Sequence, residues 1–177
     1  MAVPVTLEDA KRQLKLEQDD VSQDGEIAAF IADAAAWIET YTGHLLTARQ
    51  VTESFRGFKP VVMRAWPVQV DAVPGVAYVN GSGEPVALPG AKIDISMGRA
   101  RILPGSGHFW PFVDSQQPFT VTVRAGYEAG DIVPGVFRRA MLMLIAAYDE
   151  DREGGDAYTK AEATARRICS SFRPRIL

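Results

Sequence analysis

The sequence predicts an α+β fold: a small helical bundle built from N- and C-terminal helices, with an antiparallel β-rich, sandwich- or barrel-like region inserted between them. Two observations carry that expectation. Nine of the 11 prolines and ten of the 15 glycines fall between residues 50 and 134, and such punctuation suits short strands and breaks helices. Apolar residues recur at helical spacing on either side of that stretch and at a period of two within it. At roughly 150 residues per domain, the 177 residues predict a single domain. Its parts are N-terminal helices (1–48), a β-rich insertion (49–134), and C-terminal helices with a tail (135–177).

The first helix is expected from Leu7 to Leu16. Thr6 is a good N-cap, and Glu8 and Asp9 suit the positive end of the helix dipole. Leu7, Ala10 and Leu14 form one narrow apolar stripe. A loop from Glu17 to Gly25 leads to a second helix, Glu26 to Tyr41, with a broad apolar face of Ile27, Phe30, Ile31, Ala34, Ile38 and Tyr41, widened by Trp37. Gly43 sits where a glycine in left-handed conformation ends a helix.

From Gln50 the period changes. Weak strands are expected near 51–56 and 60–64. Val76–Val79 and Pro85–Leu88 flank Asn80-Gly81-Ser82-Gly83, a hairpin signal. Ile93 and Ile95 alternate with polar residues, and Gly98 turns the chain into Arg99–Leu103. Phe119, Val121 and Val123 alternate with Thr120, Thr122 and Arg124. Short strands in this number are enough for a small antiparallel sandwich or barrel.

After Val133-Pro134-Gly135 a long helix is expected to about Glu153, with Phe137, Met141, Leu144, Ile145 and Tyr148 on its main apolar face. Leu142, Met143, Ala146 and Ala147 make its middle apolar nearly all round, which places it either at the centre of a core or between its own chain and another. Gly154-Gly155 stops it, and a last helix, Ala157 to Ser171, precedes the tail Phe172-Arg173-Pro174-Arg175-Ile176-Leu177.

Composition excludes several classes. The chain is 47% hydrophobic and 23% charged, unlike a disordered segment. Its longest apolar run, Ala140 to Ala147, is far shorter than a membrane span. The N-terminus shows no secretory pattern. The single cysteine, Cys169, cannot form an internal disulfide and fits a reducing compartment. The expectation is a soluble, intracellular-type protein. Its net charge of −3 conceals a gradient: −6 over residues 1–48, +1 over 49–131 and +2 over 132–177. An acidic head and a basic tail can orient a partner or a neighbouring subunit.

Chemistry is sparse. Asp20-Val21-Ser22-Gln23-Asp24-Gly25 imitates the start of a calcium-binding EF-hand, but position 12 of the loop, which must supply a bidentate carboxylate, is Ile31. The loop is expected instead to cap the second helix through Asp24. His44 and His108 have no second ligand at metal-binding spacing, so His44 reads as a helix-exit residue and His108 as a loop residue. No nucleophile elbow, phosphate loop or dinucleotide fingerprint is present. Asp149, Glu150, Asp151 and Glu153 read as a solvated helix end. No catalytic residue, metal or cofactor is expected. A pI near 5.4 argues against a dedicated nucleic-acid binder. Two other readings stay open: a carbohydrate- or peptide-binding module using Phe109 and Trp110, and, more weakly, a hydrolase using Asp94 or Asp114.

The order of segments resembles the head–tail connector (adaptor) proteins of long-tailed bacteriophages and of gene transfer agents. Val5-Thr6-Leu7-Glu8-Asp9-Ala10-Lys11, the acidic loop before Ile27, and Thr42-Gly43 resemble the family's opening. Trp66-Pro67-Val68, Val73 to Tyr78, Gly83, Ile93-Asp94 and Arg99 to Pro104 resemble its β-rich middle. Val123, Gly126-Tyr127, Val133-Pro134 and the helix ending Tyr148-Asp149-Glu150-Asp151-Arg152-Glu153 resemble its closing block. His44 stands where the family often has arginine. The resemblance implies a non-enzymatic structural protein of the neck of a virion or phage-like particle, assembled in the bacterial cytoplasm. It implies a homo-oligomeric ring, commonly of twelve, beneath the portal protein and above a head-closure or stopper protein. DNA passes through the channel, and neither cofactor nor membrane is involved. On that reading the helix bearing Phe137, Met141, Leu144, Ile145 and Tyr148 forms the bundle core and reaches a neighbour. The tail, with Phe172 as apolar anchor, Arg173 as charged clamp, and Arg175, Ile176 and Leu177, docks on the portal.

Overall fold

A computed structural model describes residues 4–57, 60–69, 73–96, 98–110, 118–151 and 153–173. The chain forms two compact units: a helical one of residues 1–47 and 127–177, and a β unit of residues 48–126.

In the helical unit, α1 (Leu7–Leu14) begins with a reciprocal cap. The Thr6 hydroxyl accepts from Asp9 N at 3.1 Å, and the Asp9 carboxylate accepts from Thr6 N at 3.3 Å. Two orphan amide donors of the first turn are thereby satisfied. The helix ends at Lys15, which takes the left-handed conformation, one to two residues earlier than the apolar spacing suggests. α2 (Asp24–Thr42) ends at Gly43, whose φ of 73° is open to glycine at little cost. α3 (Gly135–Glu150) is followed by α4 (Asp156–Cys169) and a short 3₁₀ turn, Ser170–Phe172.

α3 packs against α1, α2 and α4 of its own unit, which accounts for a helix apolar nearly all round. Phe137, Met141, Leu144 and Ile145 are completely buried together with Val5, Ile27, Ile38 and Leu46. Tyr148 is half-buried between Phe30 and Tyr158, with ring centroids 5.9 and 5.8 Å away. The break between the two halves of this unit is closed by Tyr127 N donating to Leu45 O at 3.1 Å.

The β unit contains β1 (Arg49–Arg56), β2 (Val61–Val62), β3 (Gly75–Val79), β4 (Pro85–Leu88), β5 (Ala91–Ser96), β6 (Arg99–Pro104) and β7 (Pro118–Ala125). They make two antiparallel sheets, ordered β1-β7-β3-β4 and β2-β6-β5. β1 and β7 pair along their whole length, from Arg49 opposite Ala125 to Arg56 opposite Pro118. The first and last strands of the unit are therefore neighbours, the condition under which a segment can interrupt another fold. Along β7, Phe119, Val121, Val123 and Ala125 are buried in strict alternation, as the period of two demands. Phe55 lies opposite Phe119, ring centroids 5.6 Å apart. The Glu53 carboxylate on β1 accepts from the backbone N–H groups of Arg64 and Ala65 at 2.8–3.1 Å, fastening the segment after β2.

Candidate docking surfaces

The acidic loop between α1 and α2 is organised by a lysine. Lys11 is only 3% exposed. Its Nζ donates to Gln18 O at 3.1 Å and to Asp20 O at 2.8 Å, and it pairs with the Asp24 carboxylate. Of the three donors of an ammonium, two go to carbonyls of the loop, while its charge faces the Asp24 carboxylate. Of the side-chain oxygens that imitated a calcium site, that of Asp24 thus faces a cation carried by the chain itself. Asp24 does not cap α2: the N-cap is Gln23, without a side-chain bond, and Asp24 opens the helix with its carboxylate on Lys11. Ser22 N donates to the Asp20 carboxylate at 2.9 Å, and hydrogen bonding from Ser22 holds that carboxyl below its usual range. Glu17, Asp19 and Asp20 stay exposed, and Val21 is 72% exposed.

Near the other end of α2, Trp37 and Tyr41 stack at 5.1 Å. The Arg166 guanidinium of α4 lies over both rings, 6.0 and 5.5 Å from their centroids, and Arg173 lies 5.7 Å from that of Tyr41. Glu162 accepts from Trp37 Nε1 at 3.1 Å and from Arg166 at 2.7 Å. These bonds, that from Arg166 foremost, lower the carboxyl's pKa. The Tyr41 hydroxyl donates to Arg166 O at 3.1 Å. Cation–π contacts and hydrogen bonds thus fix every member of the patch.

His44 leaves α2 directly after Gly43, as expected, and is buried there. Its ring stacks on Tyr127, with Nδ1 and the Tyr127 hydroxyl sharing a 2.9 Å hydrogen bond, and meets Phe137 and Phe172 edge-on at 5.1 and 5.5 Å. Burial lowers its pKa to about 4 and pushes the Tyr127 phenol up to about 12, because removal from water penalises whichever form is charged. Phe172 belongs to this cluster, 4.9 Å from Phe137. Its ring therefore anchors the start of the tail to the chain's own core, so it is not an apolar anchor held out for a partner. Arg173 is engaged with Tyr41, and Arg175, Ile176 and Leu177 lie outside the described residues.

In the β unit the loop after β6 is pinned on two sides. His108 N donates to Gly105 O at 3.0 Å, and its ring sits so close to Gly90 (φ 77°) that a Cβ there would fall 2.5 Å from it. Trp110 packs on Phe119, centroids 6.2 Å apart. Phe109 between them is 90% exposed, so Phe109 and Trp110 have different surroundings. Asp94 is exposed opposite Arg101 in the sheet, and Asp114 lies outside the described residues. Among the described residues, no group of three or more His, Cys, Asp or Glu could hold a metal ion, and no helix is long and apolar enough to cross a membrane. Cys169 is buried, its thiol pushed up to about 11 by that burial, so its thiolate is scarce at neutral pH.

Sequence reasoning missed Lys11, His44 and the Trp37–Tyr41–Arg166 stack. The one available signal for the stack was the spacing of Trp37 and Tyr41, one helical turn apart.

Fold and surfaces together define a class: a two-unit α+β protein whose notable exposed chemistry is aromatic, apolar and charged side chains fixed on rigid elements. The family described as Phage gp6-like head-tail connector protein matches residues 4–65, the stretch holding α1, α2, β1 and β2. No curated protein sequence matches the chain. Among the solved structures similar to it are three that match along 100% of its length. One is described as the virion of a native gene transfer agent particle (TM-score 0.74, 21% identity, 95% of that chain). The second is the neck of an empty gene transfer agent particle computed with C6 symmetry (0.73, 21%, 95%). The third is the neck of a native particle computed with C12 symmetry (0.67, 19%, 94%). The likeness to the head–tail connector family thus covers residues 4–65, and the fold of chains from gene transfer agent particles covers the whole chain.

Proposed function

We propose that this protein is a structural subunit of the neck of a tailed phage or gene-transfer-agent-like particle. Identical copies, twelve on the family expectation, form a ring beneath the portal protein; a head-closure protein binds below, and DNA passes through the channel. The observation that carries the reading is a coincidence of two independent likenesses. A head–tail connector family matches residues 4–65, and chains from the virion and neck of gene transfer agent particles share the fold end to end. The described chemistry agrees with a protein that works through its surfaces. Phe172 holds the base of the tail, and Arg173, Arg175, Ile176 and Leu177 are the segment proposed to dock on the portal.

The test is to mix the purified protein with portal and inspect the product by native mass spectrometry and negative-stain microscopy. Closed rings attached to portal are expected. A protein that stays monomeric and ignores portal would overturn the proposal. Deleting residues 174–177 leaves the Phe172 anchor in place and is expected to abolish attachment; full attachment by the truncated chain would reject the tail as the docking element.

A further inference from the structure

We propose that the patch of Trp37, Tyr41, Arg166 and Arg167 receives the acidic α1–α2 loop of a neighbouring copy, so that the ring closes head to tail through this contact. The inference rests on the ring reading above and names the surface that makes it.

The two halves of the contact stand at opposite ends of one helix. At the start of α2 is the loop with exposed Glu17, Asp19 and Asp20 and with Val21, 72% exposed. Lys11 pins this loop from beneath through two carbonyls and the Asp24 carboxylate, so ordering it on binding costs little. α2 has 19 residues, so its far end lies about 28 Å away. There Trp37 and Tyr41 are half-buried and held in place by Glu162 and Arg166. The Arg166 side chain is 53% exposed despite its pairing, and Arg167 is exposed beside it. Trp, Tyr and Arg are the residues most enriched in binding hot spots, and Trp37, Tyr41 and Arg166 are immobilised in advance.

Charge complementarity names the occupant. The exposed loop carries Glu17, Asp19 and Asp20, and the patch takes the exposed cations Arg166 and Arg167 from α4 in a C-terminal segment of net +2, so a second copy offers the opposite charge to each half of the contact. A surface and its complement on different parts of one subunit make a heterologous contact, the kind that generates rings. Between the two ends α2 exposes Ala28, Ala32 and Ala36, a low relief that lets a neighbour approach. α3, by contrast, is covered by three helices of its own unit.

The experiment uses the full-length chain, alone and with portal, scored for rings by native mass spectrometry. Two charge-reversed variants are made: Glu17→Lys with Asp19→Lys, and Arg166→Glu with Arg167→Glu. Asp20 is left in place because its carboxylate accepts from Ser22 N and shapes the loop. Each variant is expected to raise the concentration for half-assembly by about tenfold or more. All four substitutions in one chain, or an equimolar mixture of the two variants, should restore rings. Thermal melts, together with the milder Arg167→Gln, distinguish a lost interface from a lost fold: the glutamine variant should melt as wild type and assemble more weakly. Rings as stable as wild type in either reversal, or no rescue in the combination, would overturn the contact while leaving the ring reading intact. Two-fold dimers in place of rings would overturn head-to-tail closure. A wild-type chain that never forms rings, even with portal, would overturn the ring reading and this contact together.

Discussion

In the helical unit, helices far apart in sequence meet around one continuous apolar cluster, whereas the β unit is closed by hydrogen-bonding its first strand to its last. The helical unit is interrupted after Thr47 and resumes at Tyr127, and its cohesion comes from side chains: Phe137, Met141, Leu144 and Ile145 against residues from both flanks. The β unit is contiguous, and its cohesion is registered backbone pairing, with β7 at its centre between β1 and β3. A side-chain core tolerates an interruption because burial has no direction; strand pairing does not, because a slip of one residue turns every side chain to the wrong face.

Truncating the central ring of each unit tests this contrast most severely. Phe137→Ala and Phe119→Ala should each cost about 3–5 kcal/mol, read by denaturant unfolding at 222 nm. Phe137→Ala should lie at the upper end, since it also strips His44 and Phe172 of a ring partner. A loss below about 1 kcal/mol at Phe119 would show that pairing alone holds the β unit.

Acid separates the units next. The folded pKa of His44 is about 4, below its ordinary 6.5. At pH 5 the unfolded chain therefore binds a proton that the folded one does not. Its contribution is fully present above pH 6.5, declines as pH falls from 6.5 towards 4, and is gone below that. The loss is about 3 kcal/mol by linkage. Urea midpoints between pH 7 and pH 4 should fall for wild type, and His44→Gln should flatten that slope. An unaltered slope in the variant would exclude His44 as its source.

The smallest effects compare side-chain locks on the backbone. Glu53→Ala leaves the amides of Arg64 and Ala65 without their acceptor and should cost about 1–3 kcal/mol. Thr6→Ala removes half of a reciprocal cap on an exposed helix end and should cost about 1 kcal/mol. Thermal melts decide the order, and a larger loss at Thr6 would reverse it.

The elements most legible in the sequence are those whose signals are local. Thr6, Gly43 and the alternation along β7 act within a few residues of themselves, and the structure places them in those roles. The end of α1 is earlier than its apolar stripe suggests because Lys15 turns left-handed to let the chain enter the Lys11-pinned loop. Asp24 misled because a carboxylate before a helix reads as a cap, while the stronger partner, a buried ammonium, sits on another helix. Phe172 looked like a free anchor because nothing near it in sequence reveals that His44 and Phe137 wait for its ring.

By itself the sequence determined the class of fold, the helix–strand–helix order and the electrostatic polarity behind a net −3, since composition and periodicity fix which segments bury a face and of what kind. Only the tertiary structure decided which charges remain available and which are used within the chain. Lys11 of α1 and Asp24 of α2 cancel each other, and Arg166 sits on Trp37 and Tyr41. The physical reason is that Coulomb and ring contacts act over a few ångströms, and those distances are set by packing between residues that the chain keeps far apart.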